Sequence, residues 1–227
     1  MAASFDRIRK TAESRCGGAA ALKDRLKERL TPPKSPVALR KVADDRYLSL
    51  LSLRVFRAGL KHSLVDAKWP AFEEAFLGFD PRRLRAMSDE ALEALMADKR
   101  LIRHWGKIKA TRDNAAALCA LIEECGSFGA YLADWPANDV VGLWHDLSKR
   151  FKQLGGNSAP VFLRMAGKDT FVLTDNVVRA LNHWGAFDGL PKGKKAQVKV
   201  QEAFVDWAEE ARSPLCEISM ILAHSVD

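Results

Sequence analysis

The sequence predicts an all-α fold, and three observations support that prediction. Apolar residues recur at helical spacing along most of the 227-residue chain. Proline and glycine breaks separate the helical segments, most clearly at residues 31–36. The one extended candidate, residues 170–173, is too short to build a sheet. With 48% hydrophobic residues, the chain can bury a core as one domain or as two intimate lobes.

Start and stop signals set the order of the predicted helices. Asp80-Pro81 and Ser88-Asp89-Glu90 are typical helix starts, because a polar cap or proline stands at the first turn. The predicted helices, in chain order, cover residues 20–30, 44–60, 69–76, two short segments after residues 80 and 88, and then 105–124, 139–152, 194–212 and 214–225.

Charge is concentrated at the N-terminus. The net charge is +7, and residues 1–45 hold 11 Lys or Arg against 6 Asp or Glu. Such an excess favours an anionic partner, although alternating charges are also typical of a solvated helix face. We therefore expect a basic helical extension over residues 1–45, followed by one main domain over residues 46–227.

The chain has no sequence feature of a membrane or secreted protein. No apolar run approaches the roughly 18 residues needed to cross a bilayer, and the N-terminus is charged rather than signal-like. The four cysteines form no CxxC pair, which suits a reducing compartment and argues against a zinc site. We expect a cytoplasmic protein with no metal and no cofactor.

A glycine turn followed by a short helix carries the main functional signal. Gly155 and Gly156 permit positive φ and close approach of the backbone to a ligand. Asn157 and Ser158 are good N-caps for the helix that follows. A helix N-terminus with free amides is an anion site, and Lys152 adds positive charge. The alternative is an ordinary helix hairpin whose glycines only shape the turn.

Asp175 follows this hairpin. Gly167 is a predicted terminator of the hairpin helix, an apolar run follows, and Asp175 then lies at or next to the N-cap of another helix. Capping alone is worth roughly 1 kcal/mol. An ionised aspartate could also stabilise positive charge on a sugar or take a proton from attacking water. The two roles are compatible.

These segments, Leu154 to Ser158 and Thr174 to Arg179, resemble the helix-hairpin-helix superfamily of DNA glycosylases. That superfamily has an L-x-G-x-G hairpin and, further along, an aspartate that begins a helix; Ser158 replaces the second hairpin glycine here. The resemblance implies a two-lobed helical fold, with the hairpin at about residues 145–167 and a catalytic segment at 170–182. It implies that Asp175 is catalytic. It also places Lys152, Gly155, Gly156, Asn157 and Ser158 on DNA.

Members that also cleave the DNA strand carry a lysine at the start of the second hairpin helix. Ser158-Ala159-Pro160 has none, so the resemblance implies a monofunctional enzyme.

The middle of the chain resembles DNA-3-methyladenine glycosylase I over roughly residues 45–185. The blocks that carry the likeness are 58–60, 76–81, 101–110, 114–115 and 126–128. The resemblance implies that the enzyme hydrolyses the N-glycosidic bond of damaged, alkylated bases. Two residues depart from the family: Arg54 stands where the family has a glutamate that contacts the excised base, and His62 replaces a tryptophan.

The same resemblance suggests which residues open the duplex and hold the base. Arg57 or Leu60 would fill the gap left by the extruded nucleotide, although Leu60 could equally be core and Arg57 a surface cation. Aromatic rings stack well on a cationic base, but most tryptophans in a helical protein are core. The candidate base pocket consists of Phe56, Lys61, His62, Trp69 and Trp105.

Two further functions remain open from the sequence. A non-catalytic helix-hairpin-helix protein would bind damaged or bent DNA without excision, and a helical scaffold would bind no DNA. The glycosylase hypothesis implies double-stranded DNA with damaged bases as partner, a monomer, and a nucleoid-associated location.

Overall fold

The computed structural model describes residues 2–226, and within that range it contains α-helices, one 3-10 turn and no strand. The predicted all-α fold is confirmed. The helices, in chain order, are α1 (Phe5–Cys16), α2 (Ala19–Arg29), α3 (Pro36–Arg40), α4 (Asp44–Arg57), α5 (His62–Ala75), α6 (Pro81–Arg85), α7 (Asp89–Leu95), α8 (Trp105–Cys125), α9 (Phe128–Asp134), α10 (Val140–Arg150), α11 (Ser158–Ala166), α12 (Asp175–His183), α13 (Gly193–Ala211) and α14 (Leu215–His224); the 3-10 turn is Leu77–Phe79.

The chain divides into two compact units. The first contains residues 2–33, Pro136–His145 and 167–226, and the second contains Lys34–Trp135 and Asp146–Ala166. This division differs from the expected N-terminal extension over residues 1–45. Residues 2–33 are an integral part of the first unit, because α1 packs on α13 and α14.

Buried apolar and aromatic side chains hold the first unit together. Phe5 is buried against Trp207, with ring centroids 6.3 Å apart. The indole Nε1 of Trp207 donates to the Ala3 carbonyl at 3.0 Å, and the Phe5 amide donates to Glu210 at 2.9 Å. Burial of such rings is the largest stabilising contribution of a helical core. The N-terminal helix is therefore fixed to the C-terminal helices of this unit.

The second unit is built around an aromatic stack. Trp69 stacks on Phe72 and Phe79 with centroid distances of 5.0 and 5.4 Å, and Phe56 meets Phe72 edge-on at 4.6 Å. Phe56, Phe72 and Phe79 are wholly buried. This core fixes α4 and α5 against each other, which determines where the loop between them emerges.

Helix α5 begins earlier than the sequence predicts. We expected a helix over residues 69–76, with Pro70 in its first turn, but the helix begins at His62 and Pro70 lies inside it. An internal proline removes one backbone hydrogen bond. Val65, in the first turns, is wholly buried, and this packing compensates for the lost bond. Tertiary burial has outweighed the local proline signal.

Over residues 2–226, no single helix is both long and apolar enough to cross a membrane. One bent pair, α8 with α9 at 62°, reaches that length and composition together. The four cysteines are free; Cys16, Cys119 and Cys216 are buried and Cys125 is exposed.

Candidate functional site

The hairpin lies in the second unit, between α10 and α11. Gln153 and Gly156 adopt positive φ, 63° and 57°, so the chain reverses direction over a few residues. Leu154 is wholly buried between them and anchors the turn. Ser148 donates from Oγ to the Leu154 carbonyl at 2.7 Å. The predicted glycine turn is therefore present, and its left-handed positions are at residues 153 and 156.

A buried asparagine fixes the start of this turn. Asn114 of α8 accepts from the Lys152 amide at 2.6 Å and donates from Nδ2 to the Lys152 carbonyl at 3.2 Å. Asn114 is only 1% exposed. Two bonds to one residue hold its main chain in a single orientation. Sequence reasoning missed this role, because Asn114 looks like any polar residue of a helix.

The tip of the turn is open to solvent. Gly155 and Gly156 are exposed, and their amides donate no hydrogen bond within the described part of the chain. A side chain at either position would meet nothing within 4 Å. Lys152 and Asn157 are also exposed. Free amides beside a helix N-terminus are suited to an anion such as a phosphate.

Ser158 faces inward, unlike the rest of the turn. It is 9% exposed, and its Oγ accepts from Arg54 Nη2 at 3.2 Å. Arg54 lies on α4, so this bond links α4 to the first residue of α11. The sequence signal for the link was present, since Arg54 departs from the family pattern, but nothing in the sequence indicated its partner.

Arg54 lies in a cationic region without a counter-charge. Its Nε is buried and has no hydrogen-bond partner, and no carboxylate pairs with it. Burial, together with the charge of Arg57, lowers the pKa of Arg54. Burial and the charge of Arg54 likewise lower the pKa of Lys107. Two unpaired cations in a partly buried region are costly unless an anion or an acceptor reaches them.

Lys107 joins this region to the loop after α4. Its Nζ donates to the carbonyls of Phe56 at 3.2 Å and Ala58 at 2.7 Å, which are at the C-terminal end of α4. A cation at that position is favoured by the helix dipole. Gly59 then takes φ of 75°, and the chain turns towards α5.

The loop between α4 and α5 exposes apolar side chains. Leu60 is 38% exposed and Leu64, which the sequence did not single out, is 51% exposed. Arg57 instead pairs with Asp66, with an N–O distance of 2.7 Å. Of the two expected plug residues, Leu60 is therefore the one without a charged partner to leave.

The expected base-pocket residues do not form one cluster. Phe56 is wholly buried, and Trp69 is fixed in the aromatic stack by a 3.1 Å bond from Nε1 to Ser49. Both rings serve the core. Lys61 and His62 are exposed at the start of α5, and Trp105, the first residue of α8, is 37% exposed.

Asp175 lies in the first unit, as the first residue of α12. The capping role belongs to its neighbour, since Thr174 Oγ1 accepts from the Val177 amide at 3.3 Å. Asp175 is exposed, and its carboxylate makes no hydrogen bond or ion pair with the described residues. The positive end of the helix favours its ionised form. The carboxylate is therefore free to act on a ligand.

The segment before Asp175 is anchored firmly. Residues 170–173 are buried, and Val172 bonds through its amide to Ser219 Oγ at 3.2 Å. Asp169 accepts from the amides of Leu215 and Cys216 at 2.8 and 3.0 Å, at the first turn of α14. A buried extended segment with bonds at both ends holds the start of α12 in place.

With this geometry established, the chain can be compared with known proteins. A family model described as methyladenine glycosylase matches residues 39–153. The chain belongs to the methyladenine glycosylase family. The resemblance in the middle of the sequence is thereby confirmed. The match ends immediately before Leu154, so the glycines of the turn and Asp175 lie beyond it.

Two curated relatives share the conserved part of this methyladenine glycosylase family chain. The DNA-3-methyladenine glycosylase of Haemophilus influenzae is 39% identical over 70 residues, which are 31% of this chain and 37% of the relative. DNA-3-methyladenine glycosylase 1 of Escherichia coli K12 is 36% identical over 72 residues, which are 32% of this chain and 38% of that protein. The alignments thus span well under half of these relatives.

The fold is also similar to that of a solved family structure. A 3-methyladenine DNA glycosylase I in complex with 3-methyladenine matches with 25% identity and a TM-score of 0.51. The match covers 58% of this chain and 81% of that chain.

Proposed function

We propose that this protein is a monofunctional DNA glycosylase that hydrolyses the N-glycosidic bond of damaged, alkylated bases of the 3-methyladenine type. Its membership of the methyladenine glycosylase family and the names of its relatives support this reaction. The observation that carries the mechanism is the carboxylate of Asp175, which is left free because Thr174 caps the helix.

The open turn binds the DNA backbone. The free amides of Gly155 and Gly156 donate to a phosphate, and Lys152 and Asn157 add charge and hydrogen bonding at the same exposed tip. Ser158 contributes through its position at the start of α11 rather than through its side chain. Such contacts position the strand without selecting a sequence.

The loop after α4 opens the duplex. Extruding a nucleotide costs a few kcal/mol, and an apolar side chain that fills the gap recovers part of that cost. Leu60 is the plug, with Leu64 beside it in sequence and equally exposed to a groove. Trp105 offers an exposed ring for a positively charged base.

Asp175 carries the chemistry. An alkylated purine that already bears positive charge leaves with the electron pair of the bond between C1′ and nitrogen, so little acid assistance is needed. The carboxylate of Asp175 stabilises the positive charge that develops on the sugar, or accepts a proton as water adds to C1′. The products are the free base and an abasic site. No lysine stands at residues 158–160 to form a Schiff base, so the strand stays intact.

The partner is double-stranded DNA that contains damaged bases. We further propose that the protein acts as a monomer, without cofactor, on the nucleoid in the cytoplasm. The positive net charge supports an anionic partner.

The experiment that tests the function is mass analysis of bases released from methylated genomic DNA. Free methylated bases, with equal numbers of abasic sites and no strand breaks, are expected. Binding without release would favour the second candidate, a non-catalytic protein for damaged DNA. That candidate is supported by the departures at Arg54 and His62.

A further inference from the structure

Arg54 lies between the two segments that we propose hold the DNA. Its Nη2 donates to Ser158, the first residue of α11 after the turn. Its charge also acts on Lys107, whose Nζ bonds the carbonyl of Ala58 in the loop that leads to Leu60. A nucleotide held by the turn and opened by this loop passes close to this guanidinium.

The donors of Arg54 are only partly used. The bond to Ser158 occupies one Nη, while the buried Nε has no partner and no carboxylate neutralises the group. A guanidinium carries five N–H donors and no acceptor, so it can only be satisfied by an acceptor. Lys107 is also a donor only, and its Nζ already bonds two carbonyls. The region therefore lacks an acceptor that a ligand can supply.

Adenine and guanine differ in what they offer such a group. Guanine presents the carbonyl O6, an acceptor, where adenine presents an amino group, a donor. An arginine pairs well with guanine O6 and cannot pair with the adenine amino group. Methylated adenine and guanine nucleosides both carry positive charge, so the nearby cations oppose both alike. The donor pattern of Arg54 is what distinguishes them.

We propose that Arg54 is a specificity-determining residue that makes this glycosylase prefer methylated guanine over methylated adenine. This inference rests on the proposed function, because it names the substrate class of that same site. The acceptor is the guanine carbonyl, which satisfies donors that are otherwise left without a partner.

The test measures which bases the full-length protein releases from methylated genomic DNA. The amounts of methylguanine and methyladenine released per lesion present give a ratio. We expect the wild type to release methylguanine roughly tenfold faster, the factor expected of one good arginine contact to guanine. For Arg54→Glu, whose carboxylate accepts from the adenine amino group, we expect the ratio to fall at least about tenfold.

Two further variants separate selectivity from charge and from folding. Arg54→Lys keeps the positive charge but loses the planar fork, and we expect an intermediate ratio. Ser158→Ala removes the bond to Arg54 while keeping its guanidinium, and we expect an unchanged ratio even if stability or overall rate declines. A melting curve for each variant checks that it folds.

The outcomes distinguish the inference from the proposed function. A wild type that releases no base would overturn the proposed function itself. Base release with the same ratio in wild type and Arg54→Glu would overturn only the inference. An equal loss of both bases in Arg54→Glu, with the salt slope of binding reduced by about one, would make Arg54 a phosphate contact and would also overturn it.

Discussion

The side-chain amide of Asn114 bonds both main-chain groups of Lys152, so a residue buried in α8 sets the orientation of the exposed turn. Asn114→Ala would leave the amide and carbonyl of Lys152 without these partners. We expect a loss of about 1–3 kcal/mol in the free energy of unfolding, because buried polar groups are left unsatisfied. Urea denaturation measures this loss.

The same variant tests whether the turn is pre-organised for DNA. We expect weaker binding of duplex DNA by Asn114→Ala, as measured by fluorescence anisotropy. Asn114→Asp is the matched control, since it keeps an acceptor for the Lys152 amide and should lose less. Unchanged affinity in folded Asn114→Ala would separate the turn from DNA binding.

Asp175→Asn tests the catalytic carboxylate. The change removes the negative charge while Thr174 continues to cap α12. We expect base release to fall by at least about a hundredfold, as for loss of a general base or electrostatic group, with folding and DNA affinity largely retained. Single-turnover release from methylated DNA measures the effect.

The matched control for that change is Thr174→Ala. It removes the cap and should cost about 1 kcal/mol of stability, yet leave the Asp175 carboxylate in place. Substantial excision by Asp175→Asn would remove this residue from the mechanism.

Leu60→Ala tests the apolar plug. Loss of the side chain should slow release from duplex DNA by roughly tenfold, because extrusion then lacks the side chain that fills the gap. Release from a single strand should change little, since that substrate needs no extrusion. Rates on matched duplex and single-stranded oligonucleotides provide the measurement.

Arg57→Ala is the comparison for the alternative plug. Arg57 is already paired with Asp66, so its loss should affect duplex excision less than the loss of Leu60. The reverse order would assign the plug to Arg57.

His224 predicts a pH dependence of stability. Burial and the charges of Arg25 and Arg29 lower its pKa below the ordinary 6.5, and its Nε2 is buried without a partner. The unfolded chain therefore binds more protons than the folded chain at mildly acid pH. Stability due to this group is full above about pH 6.5 and declines as the pH falls through that value towards the lowered pKa.

The His224→Gln variant isolates this contribution. Between about pH 7.5 and 5.5, the melting temperature of the wild type should fall more than that of the variant. Parallel curves for the two proteins would mean that His224 does not contribute to the dependence.

Local chemistry in the sequence predicts much of the hairpin. The glycine turn, α11 beginning at Ser158, and the positive φ of Gly167 all follow from residue preferences for caps and left-handed backbone. The start of α12 at Asp175 was also expected, although Thr174 rather than Asp175 is the cap. Short-range preferences are sufficient where the structure depends on few neighbours.

Other features depend on contacts between distant residues, and the sequence alone did not show them. The partnership of Arg54 with Ser158 spans 104 residues, and that of Asn114 with Lys152 spans 38. The burial of Phe56 in an aromatic core likewise depends on α5, whose start was misplaced. Periodicity identifies an apolar face but does not tell core from pocket.

Asp169 and Thr174 each cap a helix, and only four residues separate them. Their spacing allows no insertion or deletion, because a shift of one position would uncap either α14 or α12. Laboratory evolution towards other lesions therefore has its freedom elsewhere. Libraries that vary the exposed loop of residues 57–64 should yield folded enzymes far more often than libraries that change the length of residues 169–175.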